Sequence, residues 1–160
     1  MVSPMLEARQ FVDDLIFGRK GEDRVFNYLR HHKQTKAIMD VTKDKKYQED
    51  DIDFLVQTIE DKIYHIEVKN DKQTDKTGNI VYETMSHTNK GCLARSKADL
   101  IYYVTEHAMY CFSLTNIRLF ISHTNPKEVL MGDGAKGYLL SVRSMLDGGY
   151  IQIVEENQWT

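Results

Sequence analysis

Asp50-Asp51-Ile52-Asp53-Phe54-Leu55-Val56, followed by Tyr64-His65-Ile66-Glu67-Val68-Lys69, is the stretch on which the fold turns. Its β-branched and aromatic residues predict strands over 52–59 and 62–69, with a tight turn at Glu60-Asp61 that makes them an antiparallel hairpin. Side chains alternate along a strand, so Glu67 and Lys69 share one face while Ile66 and Val68 point to the other. Folding about the turn sets Asp53 opposite, or nearly opposite, Glu67. Facing residues on paired strands have Cβ atoms ~5 Å apart, within reach of one shared ion.

Two carboxylates and an ammonium on one sheet face pack poorly, because desolvating each ion costs several kcal/mol unless something compensates. A divalent cation compensates, and a donor set made only of oxygen favours Mg²⁺ or Mn²⁺ over zinc. Such an ion holds a phosphate oxygen and lowers the pKa of a bound water. Lys69 then orients that water or stabilises the charge that builds on phosphorus. The competing reading is a solvated edge strand with alternating charges, which Glu-x-Lys alone would satisfy. Apolar Ile66 and Val68 around Glu67, and an acid set inside Ile52–Val56, speak for a buried strand instead.

Outward from the hairpin, Leu6, Phe11, Leu15 and Ile16, then Val25, Phe26 and Leu29, recur at helical intervals. Gly18 and Gly21 interrupt them, so the pattern reads as two short helices or one with a bend. A short strand is expected over 37–42, then a lysine-rich loop, and after the hairpin a polar loop over 70–79 and a strand over 80–84. A helical turn over 95–99 precedes a second hairpin, 100–105 and 108–112. Ser113 or Thr115 caps a helix carrying Leu114, Ile117, Leu119, Phe120 and Ile121. Gly132, Gly134 and Gly137 mark a loop, 138–146 a late helix, and 150–154 a last strand after Gly148-Gly149. Helices around a mixed central sheet make one α/β or α+β domain of the whole chain, 1–160.

With 160 residues, 41% of them hydrophobic and 28% charged, the chain is long enough for a single core. No apolar run approaches the ~20 residues of a membrane helix, which excludes a spanning segment. The amino-terminal residues lack the pattern of an export signal, so a cytoplasmic chain with reduced Cys92 and Cys111 is expected. The net charge of -3 does not advertise a nucleic-acid binder. Basic residues nevertheless flank the acidic hairpin: Arg30, Lys33, Lys36, Lys43, Lys45 and Lys46 before it, Lys72, Lys76, Lys90, Arg95 and Lys97 after it. They are either ordinary solvated surface or a phosphate-tracking rim. The histidines lack metal-ligand spacing; His65 alone shares the face of Glu67. No phosphate-binding glycine loop is present.

Asp53 followed by Glu67-Val68-Lys69 on the next strand resembles the signature of the PD-(D/E)XK nuclease superfamily, an Asp and then (Asp/Glu)-x-Lys. Ile52 stands where the name of the group has proline, and Asp51 competes with Asp53 for the role of first acid. Gly18-Arg19-Lys20-Gly21-Glu22 is similar to the Gly-x-x-x-Glu of the first helix in Holliday-junction-resolvase-like and restriction-type members. Residues 91–103 resemble a segment of phage and bacterial members in which a Lys-Ala-Asp-like turn precedes a strand rich in Ile and Tyr.

The resemblance implies a restriction-endonuclease-like core and a Mg²⁺-dependent (or Mn²⁺-dependent) endonuclease acting on DNA. It makes Asp53 and Glu67 metal ligands together with the Val68 carbonyl, Glu22 an accessory acid and ligand, and Lys69 the catalytic cation. Ser86, Lys97 and Asp99 would line the cleft, with Arg95 and Lys72 among the residues that meet the nucleic acid. A phage or mobile-element nuclease fits so short a chain, and a homodimer is what many relatives form. The rivals are a non-catalytic DNA-binding or protein-interaction module of the same fold, and a subunit that assists a larger recombination complex.

Overall fold

The computed structural model describes residues 3–86, 89–90, 92–131 and 134–154. Helix α1 (Pro4–His31) opens the chain, capped by Ser3, whose hydroxyl accepts the Met5 N–H at 3.3 Å. It is a single helix of 28 residues, unbroken at its glycines. The reason for Gly21 is packing, because a Cβ there would lie 1.5 Å from Asn70 Oδ1 where the helix crosses the sheet. The Asn70 amide also donates to the Gly18 carbonyl at 3.4 Å. Only the second half of the helix is covered: Val25 and Leu29 are buried, whereas Leu6, Phe11, Leu15 and Ile16 are exposed.

Strand β1 (Thr35–Asp40) and the one-turn helix α2 (Lys45–Glu49) follow, the latter within the expected lysine-rich loop and capped by Asp44. The hairpin is β2 (Phe54–Thr58) and β3 (Ile63–Asn70), antiparallel with Phe54 opposite Ile66 and Val56 opposite Tyr64. Its turn is closed by Thr58 and Lys62, with Asp61 in the left-handed region at φ 62°. Then come α3 (Thr74–Thr77), inside the expected polar loop, β4 (Asn79–Ser86), β5 (Asn89–Lys90) and α4 (Cys92–Arg95). The second hairpin is β6 (Leu100–Val104) and β7 (Met109–Phe112). Ser113 caps α5 (Leu114–Thr124), accepting from the Asn116 N–H at 3.1 Å.

The last third departs from the sequence reading. After β8 (Val129–Leu130), residues expected to begin a helix at Tyr138 form β9 (Lys136–Ser141), and helix α6 (Val142–Asp147) starts only there, before β10 (Gln152–Ile153). Pairing explains it: β9 lies between β4 and β8, and this tertiary context outweighs the apolar spacing of Tyr138, Leu139 and Leu140. Gly137 is likewise a strand residue, at a point where a Cβ would meet the Tyr82 carbonyl at 2.5 Å. Gly134 does turn the chain, at φ 87°, while Gly132 lies outside the described residues.

Two sheets result. The central one has six strands in the order β1-β2-β3-β6-β7-β10, antiparallel except for the parallel pair β3/β6, so it is mixed as expected. The other has four antiparallel strands, β5-β4-β9-β8. One core lies under α1, built from Val25, Leu29, Phe54, Val56, Ile66 and Val68 with Tyr102 and Val104. The opposite face of the central sheet packs Ile101, Tyr103 and Phe112 against Ile80 and Leu140 of the second sheet and Ile117 and Phe120 of α5. The architecture is α/β, a mixed central sheet flanked by helices. Among the described residues no helix is long and apolar enough to cross a membrane. Cys111 is a free thiol whose pKa burial pushes up to about 11.

Gly137→Val forces a side chain into the Tyr82 and Glu83 backbone, which cannot yield as a flexible side chain would. Urea unfolding should show a loss of about 1–3 kcal/mol.

Candidate active site

The β2/β3 ladder ends at Phe54 and Ile66, and the two strands part there. Asp53 sits just past that end: its N–H donates to the Ile66 carbonyl at 2.8 Å, and its Oδ2 accepts the Val68 N–H at 2.7 Å. A side-chain carboxylate thus takes an N–H of β3 just past the last ladder pair, which fixes it beside the backbone between Glu67 and Lys69. Glu67 and Lys69 lie on the face away from α1, as alternation requires, since Ile66 and Val68 belong to the core under the helix.

Glu67 is 2% exposed. Its Oε1 is 2.7 Å from the Lys69 ammonium, while Oε2 is buried and has no hydrogen-bond partner among the described residues. A cavity of about 170 Å³ opens on the group, lined by Gln48, Asp51, Asp53, Glu67, Val68 and Lys69. Burial pushes the Glu67 carboxyl above its ordinary value, against the pull of Lys69 and the Ser96 hydroxyl. Asp53 is raised for the same reason, opposed by the Val68 N–H and Lys69 and reinforced by Asp51 and Asp40. Glu22, on α1, is raised by burial and then by the negative charge of Asp53 and Asp40. The first-helix acid therefore feels the same field as the hairpin.

Among the described residues no three or more His, Cys, Asp or Glu side chains gather closely enough to hold a metal. Glu22 thus does not complete a three-carboxylate set with Asp53 and Glu67. What the cleft offers is the carboxylates of Asp53 and Glu67 and the Val68 main chain, all oxygen donors, beside a third carboxylate, Asp51, that is paired with Arg95; among the described residues Oε2 of Glu67 has no hydrogen-bond partner. That set fits Mg²⁺ or Mn²⁺, hard ions that keep several waters when a protein supplies few ligands.

The remaining candidates are distributed around this centre. Arg95 Nε reaches Asp51 Oδ2 at 2.8 Å, and Lys97 Nζ lies 3.2 Å from Asp50 Oδ1, so both cations stand at the rim. Asp99 Oδ2 accepts the His65 N–H at 2.7 Å and meets the ring Nδ1 at 3.0 Å, pairing with a neighbour rather than entering the cleft. Lys72 pairs with Asp14 of α1 at 2.6 Å, and neither it nor Ser86, at the end of β4, lines the acid cavity. Two neighbours escaped the sequence reading. Asp40 faces Phe54 across β1/β2, and Ser96 is buried beside Glu67. Ser96 lies between two noticed cations, but nothing in its own pattern marks it as buried.

The raised carboxyls make metal-free stability fall with pH. A Glu67 pKa above the ordinary 4.5 means the native state holds its proton more tightly, so stability is full below that value and lost as pH rises through the folded pKa. Glu67→Gln, which mimics the protonated form, should therefore unfold at higher urea than wild type at pH 7 in EDTA. The two should converge as pH falls toward 4.5.

Comparison with known proteins agrees with this arrangement at the level of family. No curated protein matches the chain. A solved structure of a bacterial homing endonuclease aligns over 79% of this chain and 77% of its own, at 17% identity and a TM-score of 0.45. That likeness is too distant to bear on the site. The family model described as nuclease-related domain matches residues 17–115, from the middle of α1 to the start of α5, and so includes Glu22, the acidic hairpin and the rim cations. This accords with the PD-(D/E)XK resemblance carried by Asp53, Glu67 and Lys69, and at the coarse level it makes the protein nuclease-type. The chain belongs to the nuclease-related domain family, NERD.

Proposed function

We propose that the protein is a Mg²⁺-dependent (or Mn²⁺-dependent) deoxyribonuclease that hydrolyses phosphodiester bonds in the cleft at the open end of the β2/β3 hairpin. The observation that carries this reading is Glu67, whose buried Oε2 has no hydrogen-bond partner among the described residues and which lines a cavity shared with Asp53 and Lys69. A buried carboxylate left in that state is costly, and a cation is what removes the cost. Asp53, Glu67 and the Val68 carbonyl are the residues that would hold the ion, with Glu22 as an accessory acid acting through its charge. When bound, the ion supplies polarisation of a phosphate oxygen and a water of lowered pKa.

The chain's own residues do the rest. Val68 N–H holds the Asp53 carboxylate still, so the donor set is preorganised by backbone. Lys69, 2.7 Å from Glu67 Oε1, carries the ammonium that orients the attacking water and offsets charge gathering on the phosphoryl oxygens. Hydrolysis joins the water oxygen to phosphorus and releases the other strand end as an alcohol. Arg95 and Lys97 at the rim meet flanking phosphates.

A second reading has one observation in its favour: Lys69 already neutralises Glu67 internally, as a DNA-binding module without turnover would allow.

Plasmid nicking separates the two. Wild type should nick in Mg²⁺ and not in EDTA. Glu67→Ala, Asp53→Asn and Lys69→Ala, each shown folded by circular dichroism, should lose on the order of 10²-fold or more in rate. Equal rates in all four proteins would overturn the enzyme, and DNA binding without nicking by wild type would establish the module.

A further inference from the structure

Asp51 has a backbone that argues for its side chain. Helix α2 ends with the Ile52 N–H bonded to the Tyr47 carbonyl and the Asp51 N–H to the Gln48 carbonyl, 3.0 and 3.1 Å. This double bond pattern places Asp51 at the position that normally calls for glycine, and its φ is 56°. An L-residue in the left-handed region is uncommon, and Asp is among the few that tolerate it. Keeping a side chain there has a conformational cost that its contacts must offset.

Among the described residues the side-chain contacts of Asp51 go to one partner. Arg95 Nε lies 2.8 Å from Asp51 Oδ2 and Nη2 lies 3.4 Å from Oδ1, so both carboxylate oxygens face the guanidinium. The Asp51 side chain is 16% exposed and that of Arg95 47%, an anchor largely buried beneath a cation that reaches solvent. The neighbouring residue is held too: the Lys97 N–H donates to the Asp50 carbonyl at 3.1 Å, and the Lys97 ammonium meets the Asp50 carboxylate. Residues 95–97 are thereby laced to 50–51 along the rim of the acid cavity, of which Asp51 forms part of the wall. A carboxylate engaged on both oxygens by an arginine is a poor ligand for a divalent ion, whereas among the described residues Asp53 and Glu67 meet no arginine: the Val68 N–H bonds the one and Lys69 the other.

We propose that Asp51 is the anchor of Arg95 rather than a metal ligand, and that the anchored guanidinium grips a backbone phosphate of the substrate strand beside the scissile bond. The inference rests on the nuclease reading for the identity of the substrate. Arginine suits the task because its planar fork bonds carboxylate and phosphate oxygens in fixed directions, which lysine's point charge does not. Asp51 is a positioning residue here, and Arg95 the group that touches substrate.

The test uses the whole chain with Asp51→Asn, Asp51→Gly, Arg95→Ala, Arg95→Lys and the double variant Asp51→Asn/Arg95→Ala. Asp51→Gly relieves the left-handed backbone, so it guards against misfolding. Calorimetric titration with Mn²⁺ alone should give affinities within about threefold of wild type for every variant. Anisotropy of a labelled duplex in Ca²⁺ should show binding weakened about tenfold by Asp51→Asn, by Asp51→Gly and by Arg95→Ala, with the log–log salt slope reduced by about 1 in Arg95→Ala. The double variant should be no weaker than either single one, and Arg95→Lys should recover only part of the loss.

A fall in Mn²⁺ affinity of about tenfold or more in both Asp51 variants would make Asp51 a ligand and overturn the proposal. Fully additive losses in the double variant, or an unchanged salt slope in Arg95→Ala, would overturn it as well. If wild type binds duplex and metal but never cleaves, the nuclease reading falls while the pair stands or falls on the anisotropy. If wild type binds no duplex at all, both fall.

Discussion

A carboxylate on an inner strand, at 2% exposure, is the constraint around which the rest of this molecule is arranged. Strand β3 is an inner strand, paired with β2 as far as Ile66 and with β6 along Glu67, so this carboxylate does not sit on an outer strand of the sheet. Its surroundings compensate only in part. Lys69 answers one oxygen, and the other has no hydrogen-bond partner among the described residues. A hydrophobic residue at 67 would pack there at lower cost, as buried ion pairs generally permit. The arrangement makes sense as a site kept for chemistry, in which stability is given up locally so that a charged group stays dry and directed.

Three other features serve that carboxylate. The β2/β3 ladder stops one residue early, and Asp53 takes the Val68 N–H with its side chain, which brings a second acid to the same end of the hairpin. Helix α1 comes close over β3 because Gly21 leaves room for Asn70, and that approach carries Glu22 into the field of Asp53 and Asp40. The segment that leads into β6 sets Ser96 beside Glu67 and Arg95 on Asp51. Residues far apart in sequence thus converge through main-chain geometry rather than through a local motif.

Where the sequence was legible, a local rule had no tertiary competitor. The hairpin over 52–69 could be read because alternation and a two-residue turn fix its register, and Asp53 near Glu67 follows from that register alone. Ser113 as a cap was legible because its hydroxyl satisfies an amide three residues on. The glycines of α1 misled because propensity penalises them, whereas here the sheet beneath requires a small residue at 21. Tyr138–Ser141 misled because its helical spacing is overridden by pairing with β4 and β8, which no local pattern reveals. Asp51 and Asp53 could not be told apart as acids: what separates them is a bond to the Val68 backbone for one and to a distant arginine for the other.

The parallel pairing of β3 with β6 bears on the order in which the molecule assembles. Parallel neighbours need a crossover, and this one runs through residues 71–99, taking in α3, β4, β5 and α4. The hairpin closes over a few residues and forms on the microsecond scale. Its docking to β6 must wait for a long chain segment to find its place, and closing such a loop carries an entropic cost before any contact rewards it. Until β6 docks, Glu67 lies on a hairpin open to water; the segment that carries Ser96 and Arg95 leads directly into β6, so the docking that completes the parallel pair also buries the charged centre.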